Sequence, residues 1–69
     1  MDWTGLEGKK VFIITKRKLY NGNNIVYSGI IKKIIDNPNQ PENYSIQLLD
    51  KFSKIIILER YDIVELREE

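Results

Sequence analysis

Apolar residues alternate with polar ones, or cluster in short runs, in five stretches of the chain. These stretches are residues 10–16, 25–36, 44–49, 54–59 and 63–67. A period of two is typical of a β-strand, and each stretch has the length of one. The first stretch shows the pattern well, because Val11 and Ile13 fall on one face while Phe12 and Ile14 fall on the other. We therefore predict five β-strands.

The segments between these stretches contain turn residues. Asn21-Gly22-Asn23-Asn24 follows the first strand, and residues 37–43 hold both prolines of the chain. Asn and Gly tolerate positive φ, and Pro interrupts a strand ladder, so these segments predict turns between antiparallel strands. Gly29 lies inside the second strand. An internal strand glycine indicates a sharp bend or a close approach of another backbone segment.

The fold class that follows is all-β: a small five-stranded SH3-like antiparallel barrel that spans residues 1–69 as one domain. The chain has no alanine and many isoleucines, which favours strands over helices. An OB-fold is the weaker alternative, because it needs a helix between strands three and four, for which there is no room. The period-two pattern places seven residues in the core: Val11, Ile13, Ile31, Ile46, Leu48, Ile57 and Val64.

The composition narrows the chemistry. There is no cysteine and no histidine, so disulfides and the usual Ser/His/Asp or Cys/His nucleophile systems are excluded. A zinc site would need carboxylates alone, which is unusual. We expect a non-enzymatic protein with no cofactor and no metal. No apolar run approaches the roughly 20 residues of a membrane span, and Met1–Gly5 lacks the pattern of a signal peptide. We expect a cytoplasmic protein.

The charge is unevenly distributed. Residues 1–35 have a net charge of +5, and residues 36–69 have a net charge of −4. Such asymmetry suits head-to-tail contact between copies of the chain. In the basic half, Lys16, Arg17 and Lys18 are candidates for contacts with phosphate groups, which give affinity without sequence readout. The simpler interpretation is a solvated turn.

Residues 54–58, Lys-Ile-Ile-Ile-Leu, are apolar on both faces of the predicted fourth strand. A barrel of this size covers only one face, and an open apolar edge invites pairing with another chain. A domain of 69 residues is also marginally stable, and oligomerisation is one way to stabilise it. We therefore predict a homo-oligomer in which strand four of one subunit pairs with strand five of the next. The predicted interface residues are Ile56, Leu58 and Ile63.

Several segments resemble the Sm-like family. Residues 8–15, Gly-Lys-Lys-Val-Phe-Ile-Ile-Thr, are similar to the opening of its first motif. Residues 27–31, Tyr-Ser-Gly-Ile-Ile, with Ile35 and Asp36, resemble its bent second strand, and residues 43–48 resemble the end of that motif. Residues 58–64, Leu-Glu-Arg-Tyr-Asp-Ile-Val, fall where the second motif lies. The spacing from Tyr27 to Asp36 is one residue longer than in the family, which predicts a β-bulge.

The resemblance implies a ring of six or seven subunits that binds single-stranded RNA in its central pore. By position, Asp36, Asn43 and Arg60 would line the base-binding pocket. Tyr61 stands where the family has a glycine, so its ring would either stack on a base or block the pocket. Asp36 and Asn43 are equally compatible with an ordinary turn around the Pro-containing loop.

Two classes of function remain open at this point. The first is a small oligomeric RNA-binding module that resembles the Sm-like proteins. The second is a protein-interaction or assembly module with an SH3-like barrel and no nucleic-acid ligand.

Overall fold

The computed structural model describes residues 3–69 as an all-β domain, which confirms the predicted class. Met1 and Asp2, which belong to the segment in which we expected no signal peptide, lie outside the described residues. The strands are β1 (Lys10–Lys18), β2 (Asn24–Ile35), β3 (Ser45–Leu49), β4 (Ile55–Glu59) and β5 (Ile63–Glu68). Two short 3₁₀ helices, η1 (Thr4–Leu6) and η2 (Arg60–Asp62), precede β1 and β5. Within residues 3–69, no helix is long and apolar enough to cross a membrane.

The strands form one antiparallel sheet in the order β4-β3-β2-β1-β5. The two edge strands, β4 and β5, are therefore consecutive in the chain. No pairing joins them within the described part of the protein, so the sheet is open. The predicted barrel is confirmed only as a five-stranded antiparallel sheet.

The short link between β4 and β5 shows that this sheet is curled. In a flat sheet the two edges would lie roughly 19 Å apart, since neighbouring strands are spaced by about 4.8 Å. Only the three residues of η2 connect them. Four residue steps of fully extended chain reach roughly 14 Å, and a 3₁₀ turn reaches less. The sheet must therefore curl to bring the end of β4 toward the start of β5.

The middle of β2 explains part of this curvature. A Cβ atom added to Gly29 would overlap the backbone oxygen of Leu49, so only glycine fits where the end of β3 lies against β2. The β2–β3 register then shifts between Ile31 and Lys33, which is the bulge that the spacing predicted. Glu7 supports this region, because its Oε2 accepts a hydrogen bond of 3.0 Å from the backbone N–H of Ile34.

The core lies under one face of the sheet. It consists of Trp3, Val11, Ile13, Ile31, Ile46, Leu48, Leu58 and Ile63. Five of the seven predicted core residues are confirmed, but the prediction is wrong for Ile57 and Val64, which are 57% and 58% exposed.

Strand register explains both errors. Leu58 pairs with buried Ile46, whereas Ile57 pairs with Gln47 on the outward face. In β5, Glu65 pairs with Ile14 and Ile63 with Thr15, which leaves Val64 as an unpaired bulge residue. The bulge turns Ile63 inward and Val64 outward.

Candidate functional site

The residues that we predicted from the sequence to contact a ligand lie mainly in two regions. We call residues 16–24, at the end of the β1–β2 hairpin, the hairpin tip. We call Arg60, Tyr61 and Asp62, which form η2, the edge turn because they join the two edge strands. Both regions combine basic side chains with a tyrosine, which is the combination that single-strand binders use.

Asn43 fixes the edge turn to the Pro-containing loop. Its side chain is buried, and its Oδ1 accepts a hydrogen bond of 2.9 Å from the backbone N–H of Tyr61. Its Nδ2 lies 3.4 Å from both Gln40 Oε1 and Glu59 Oε2. The amide of Asn43 therefore already has partners on both its oxygen and its nitrogen.

The ring of Tyr61 spans from the edge turn to the same loop. Its hydroxyl donates a hydrogen bond of 2.9 Å to Glu42 Oε1. This bond raises the pKa of Tyr61 above its ordinary value. The pKa of Glu42 is lowered, first by a hydrogen bond from its own backbone N–H and then by the Tyr61 hydroxyl. Both side chains lie at the surface, so the interaction is fully accessible to solvent.

Arg60 is held by groups of its own chain. Its guanidinium carbon lies 4.3 Å from the centre of the Trp3 ring, within the range of a cation–π contact. Its Nη1 donates a hydrogen bond of 3.2 Å to the backbone oxygen of Ile63, and its backbone N–H donates one of 2.9 Å to the backbone oxygen of Tyr44. Trp3 is buried and meets Tyr44 edge-on, with ring centres 6.1 Å apart. One face of the Arg60 guanidinium is therefore covered by Trp3.

An ion pair connects the two regions. Arg17 Nη2 lies 3.2 Å from Asp62 Oδ2. A side-chain hydrogen bond with Tyr27, followed by the bond with Asp62, raises the pKa of Arg17 further above its ordinary value. Arg17 is thus the one predicted phosphate contact that already has an anionic partner among the described residues.

Asp36 does not join the edge turn through any contact. It lies directly after β2 and is exposed. Among the described residues it makes no hydrogen bond and no ion pair. The structure therefore brings Asn43, Arg60 and Tyr61 together, while Asp36 stays apart from their interactions.

The hairpin tip presents its side chains differently. Lys16 is exposed, and Lys18 donates to the neutral Asn24 Oδ1 over 2.7 Å, which leaves other N–H groups of its ammonium free. Leu19 is 51% exposed, and Tyr20, at 110%, is exposed as fully as a side chain can be.

The backbone of the hairpin tip is well ordered by hydrogen bonds. The backbone N–H of Leu19 donates a hydrogen bond of 2.7 Å to the backbone oxygen of Asn23, and the backbone N–H of Gly22 donates one of 3.0 Å to the backbone oxygen of Leu19. Asn21 Oδ1 accepts from Asn23 N–H over 3.0 Å, and Gly22 adopts φ +87°. The side chains of Leu19 and Tyr20 project from a defined turn.

The edge strands expose apolar side chains, two of which, Ile57 and Val64, were predicted to lie in the core. Ile55 and Ile57 of β4 are 46% and 57% exposed, and Val64 of β5 is 58% exposed. The predicted interface residues behave differently. Ile56 is half-buried, whereas Leu58 and Ile63 are buried in the core of the single chain. Because the core already covers Leu58 and Ile63, an edge-to-edge contact would cover Ile55, Ile57 and Val64 instead.

A groove of about 550 Å³ lies between the bend of β2 and the β3–β4 turn. Its walls are mainly apolar, and Lys10 and Lys51 lie among its lining residues. The exposed Phe52 ring closes one side, with Lys51 Nζ 5.4 Å from its centre. This groove was not predicted from the sequence. The only sequence feature that indicated it was Gly29, which lines the groove and permits the close approach of the Leu49 backbone.

Other residues around the edge turn were not predicted from the sequence. Trp3 was recognisable only as the single tryptophan, and Glu42 and Glu59 gave no signal because an acidic residue in a loop or at a strand end is common. Together with Asp62, these carboxylates make the surroundings of the edge turn acidic. No group of three or more acidic residues within residues 3–69 is arranged to hold a metal ion.

Comparisons with protein-family models, with curated proteins and with solved structures found no significant match to this chain.

Proposed function

We propose that this protein is a small, non-enzymatic assembly module that joins copies of itself edge to edge. The observation that carries the proposal is the open sheet, whose two edges are consecutive strands with exposed apolar side chains. An edge strand presents unpaired backbone N–H and C=O groups, and natural proteins usually protect such edges with charge, proline or cover. In β4, Ile55 and Ile57 stand exposed in place of such protection.

Pairing of β4 with β5 of the next copy removes both open edges. The backbone groups of both strands would gain hydrogen-bond partners, and Ile55, Ile57 and Val64 would gain apolar neighbours. Full burial of one such side chain stabilises by roughly 1.5–3 kcal/mol, and these three have about half of their surface left to bury. Each therefore contributes about 1 kcal/mol.

The charges at the edges favour a head-to-tail contact over a symmetric one. Lys54 and Glu59 flank the apolar residues of β4 and cancel in charge, whereas β5 carries Glu65, Arg67 and Glu68 and has a net charge of −1. Two β5 edges would bring like net charges together, and two β4 edges would leave β5 open in each copy. A β4–β5 contact avoids both problems, and it closes into a ring when the rotation between copies permits.

The curl of the sheet also supports the finer assignment to an SH3-like, Sm-like barrel. The close backbone approach at Gly29 lies inside the second strand, which the resemblance implies to be bent. The resemblance implies a ring of six or seven subunits. We include ring formation in the proposal.

Analytical ultracentrifugation at micromolar concentration tests the assembly. We expect the native protein to sediment as a closed oligomer, and the single variants Ile57→Lys and Val64→Lys to sediment as monomers. Leu19→Lys is the matched control, because Leu19 is a similarly exposed apolar residue far from the edge strands in the sequence. It should assemble like the native protein.

A mixing experiment then distinguishes head-to-tail from symmetric contact. Ile57→Lys keeps an intact β5 edge, and Val64→Lys keeps an intact β4 edge. An equimolar mixture should therefore form a heterodimer, although each variant alone is monomeric. Self-association of Val64→Lys alone would contradict the head-to-tail arrangement, and a monomeric native protein would contradict the assembly itself.

A second candidate function is binding of single-stranded RNA, favoured by the charge of the β1–β2 hairpin. Residues 8–35 contain seven lysines and arginines and no acidic residue. Lys16, Arg17 and Lys18 are all exposed at its end. A ring would display several copies of this hairpin, and multivalent contact strengthens weak individual contacts.

In this second proposal, the phosphate contacts come from the hairpin tip, and the edge turn does not contribute to binding. Asn43, Arg60 and Tyr61 are engaged with their own chain, and a base could reach them only after those contacts break. Titration of a labelled uridine-rich RNA at two salt concentrations tests the proposal. Affinity should fall steeply with salt, and Tyr61→Gly should bind as the native protein does. Lack of binding at low salt would dispose of this candidate.

A further inference from the structure

We propose that the hairpin tip is a stacking site for single-stranded nucleic acid, with Tyr20 as the platform for a base. This inference rests on the RNA-binding candidate above and names the residue on which a base would stack. The sequence pattern did not distinguish Tyr20 from the other tyrosines, because four tyrosines are distributed along the chain. The structure separates Tyr20 from the other three by its exposure of 110%.

The other tyrosines are engaged within the domain. Tyr61 donates its hydroxyl to Glu42 and is 46% exposed, and Tyr27 is half-buried beside Arg17. Tyr44 packs against Trp3. Among residues 3–69 the ring of Tyr20 makes no such contact, so both of its faces are open to a ligand.

The turn beneath Tyr20 is already ordered, which lowers the cost of binding. The hydrogen bonds of Leu19, Gly22 and Asn23 fix the backbone on either side of the tyrosine. A side chain on an ordered turn loses less conformational freedom on binding than one on a mobile loop. Leu19, which is 51% exposed, adds apolar surface beside the ring.

Cations near the ring match the chemistry of a nucleic-acid backbone. Among the described residues, neither Lys16 nor Lys18 has an acidic partner, and Lys18 donates a hydrogen bond to the neutral Asn24 side chain. A phosphate can therefore approach both ammonium groups without displacing a carboxylate. Arg17 would have to leave Asp62 before it could contribute fully.

The combination of an open ring with free ammonium groups indicates a single strand. In a duplex the faces of the bases are covered by their neighbours, whereas in a single strand a base can stack on an aromatic side chain. An acidic peptide would satisfy Lys16 and Lys18 but would leave the Tyr20 ring without a specific partner.

Fluorescence anisotropy with a labelled uridine-rich single-stranded RNA tests the inference on the 69-residue chain. We expect Tyr20→Ala to weaken binding by about tenfold, as is usual for loss of one stacked base, with an unchanged slope of affinity against salt. Tyr20→Phe should bind as the native protein does, because the ring is retained. The double variant Lys16→Gln/Lys18→Gln should weaken binding and reduce the salt slope by about 1–2. Tyr61→Ala is the matched control and should have little effect.

The outcomes separate this inference from the proposal beneath it. If the native protein does not bind RNA at low salt, the RNA-binding candidate fails, and this inference fails with it. If the native protein binds but Tyr20→Ala binds equally well, only the stacking role is wrong. Equal affinity for a duplex of the same length would also overturn the stacking role, and competition by polyglutamate as strong as that by unlabelled RNA would indicate an acidic polypeptide partner instead.

Discussion

The hairpin tip and the edge turn contain similar residues but use them in different ways. Each has a tyrosine directly beside or near basic side chains, and the sequence marked cations in both as possible RNA contacts. At the edge turn, Arg60 lies on Trp3 and Tyr61 bonds to Glu42. At the hairpin tip, Tyr20 is fully exposed, and Lys16 has no acidic partner among the described residues. Residue type alone therefore does not identify a binding site, because partners within the chain can occupy the same groups.

The largest expected difference between the two regions concerns their aromatic residues. Trp3→Ala removes a buried ring from beneath Arg60 and should lower the free energy of unfolding by about 3–5 kcal/mol. Tyr20→Ala should change it by less than about 0.5 kcal/mol, because the ring is fully exposed. Urea denaturation of both variants measures the difference. Equal stability losses would show that the Trp3 ring is not part of the core.

A matched pair of asparagines gives the next effect. Asn43 and Asn21 each accept a backbone N–H through Oδ1, but Asn43 is buried and Asn21 is exposed. Asn43→Ala leaves the Tyr61 N–H without its partner and should cost about 1–3 kcal/mol of stability. Asn21→Ala should cost less than about 1 kcal/mol, because water can replace the lost bond. The shift in the denaturation midpoint compares the two, and a larger loss for Asn21→Ala would reverse our interpretation.

The ion pair between the regions should have a smaller effect on stability and an opposite effect on binding. Asp62→Asn removes the anionic partner of Arg17 and should destabilise by less than about 1 kcal/mol, since the pair lies at the surface. It also frees Arg17 for a phosphate group, so affinity for RNA at low salt should increase. Arg17→Gln, measured beside it, should lower that affinity. Unchanged binding in Asp62→Asn would mean that Arg17 lies outside the contact.

The smallest effect concerns the bond between Tyr61 and Glu42. The pKa of Glu42 is lowered from 4.5, so its contribution to stability is present above that pH and lost as the pH falls. The pKa of Tyr61 is raised from 10.0, so its contribution is present below that pH and lost as the pH rises through the raised value. Tyr61→Phe should raise the pKa of Glu42 toward its ordinary value in an NMR titration. Because the backbone hydrogen bond remains, the return should be incomplete.

Much of the fold was predictable because it follows from local patterns. The period of two in residues 10–16 and the Asn-Gly sequence after them predicted the β1–β2 hairpin, and the structure has it. Gly29 predicted a sharp bend or a close backbone approach, and the backbone of Leu49 makes the close approach. The candidate sites were less predictable. Asn43 was marked as a base-binding residue, but its amide bonds to the edge turn, a contact that depends on residues 18 positions apart.

Local features of the chain are enough to predict the number of strands, the positions of the turns and the division into a basic and an acidic half. These depend on backbone preferences and on composition, which act over a few residues. Tertiary structure alone selects the face of β4 that is buried, because the apolar residues of β4 occupy both faces and only pairing with β3 selects Ile56 and Leu58. It also decided, through the bulge at Val64, that Ile63 turns inward. For the same reason, only the folded chain shows which tyrosine ring is exposed to a ligand. Tyr61 donates a hydrogen bond to Glu42, whereas the ring of Tyr20 is fully exposed to solvent.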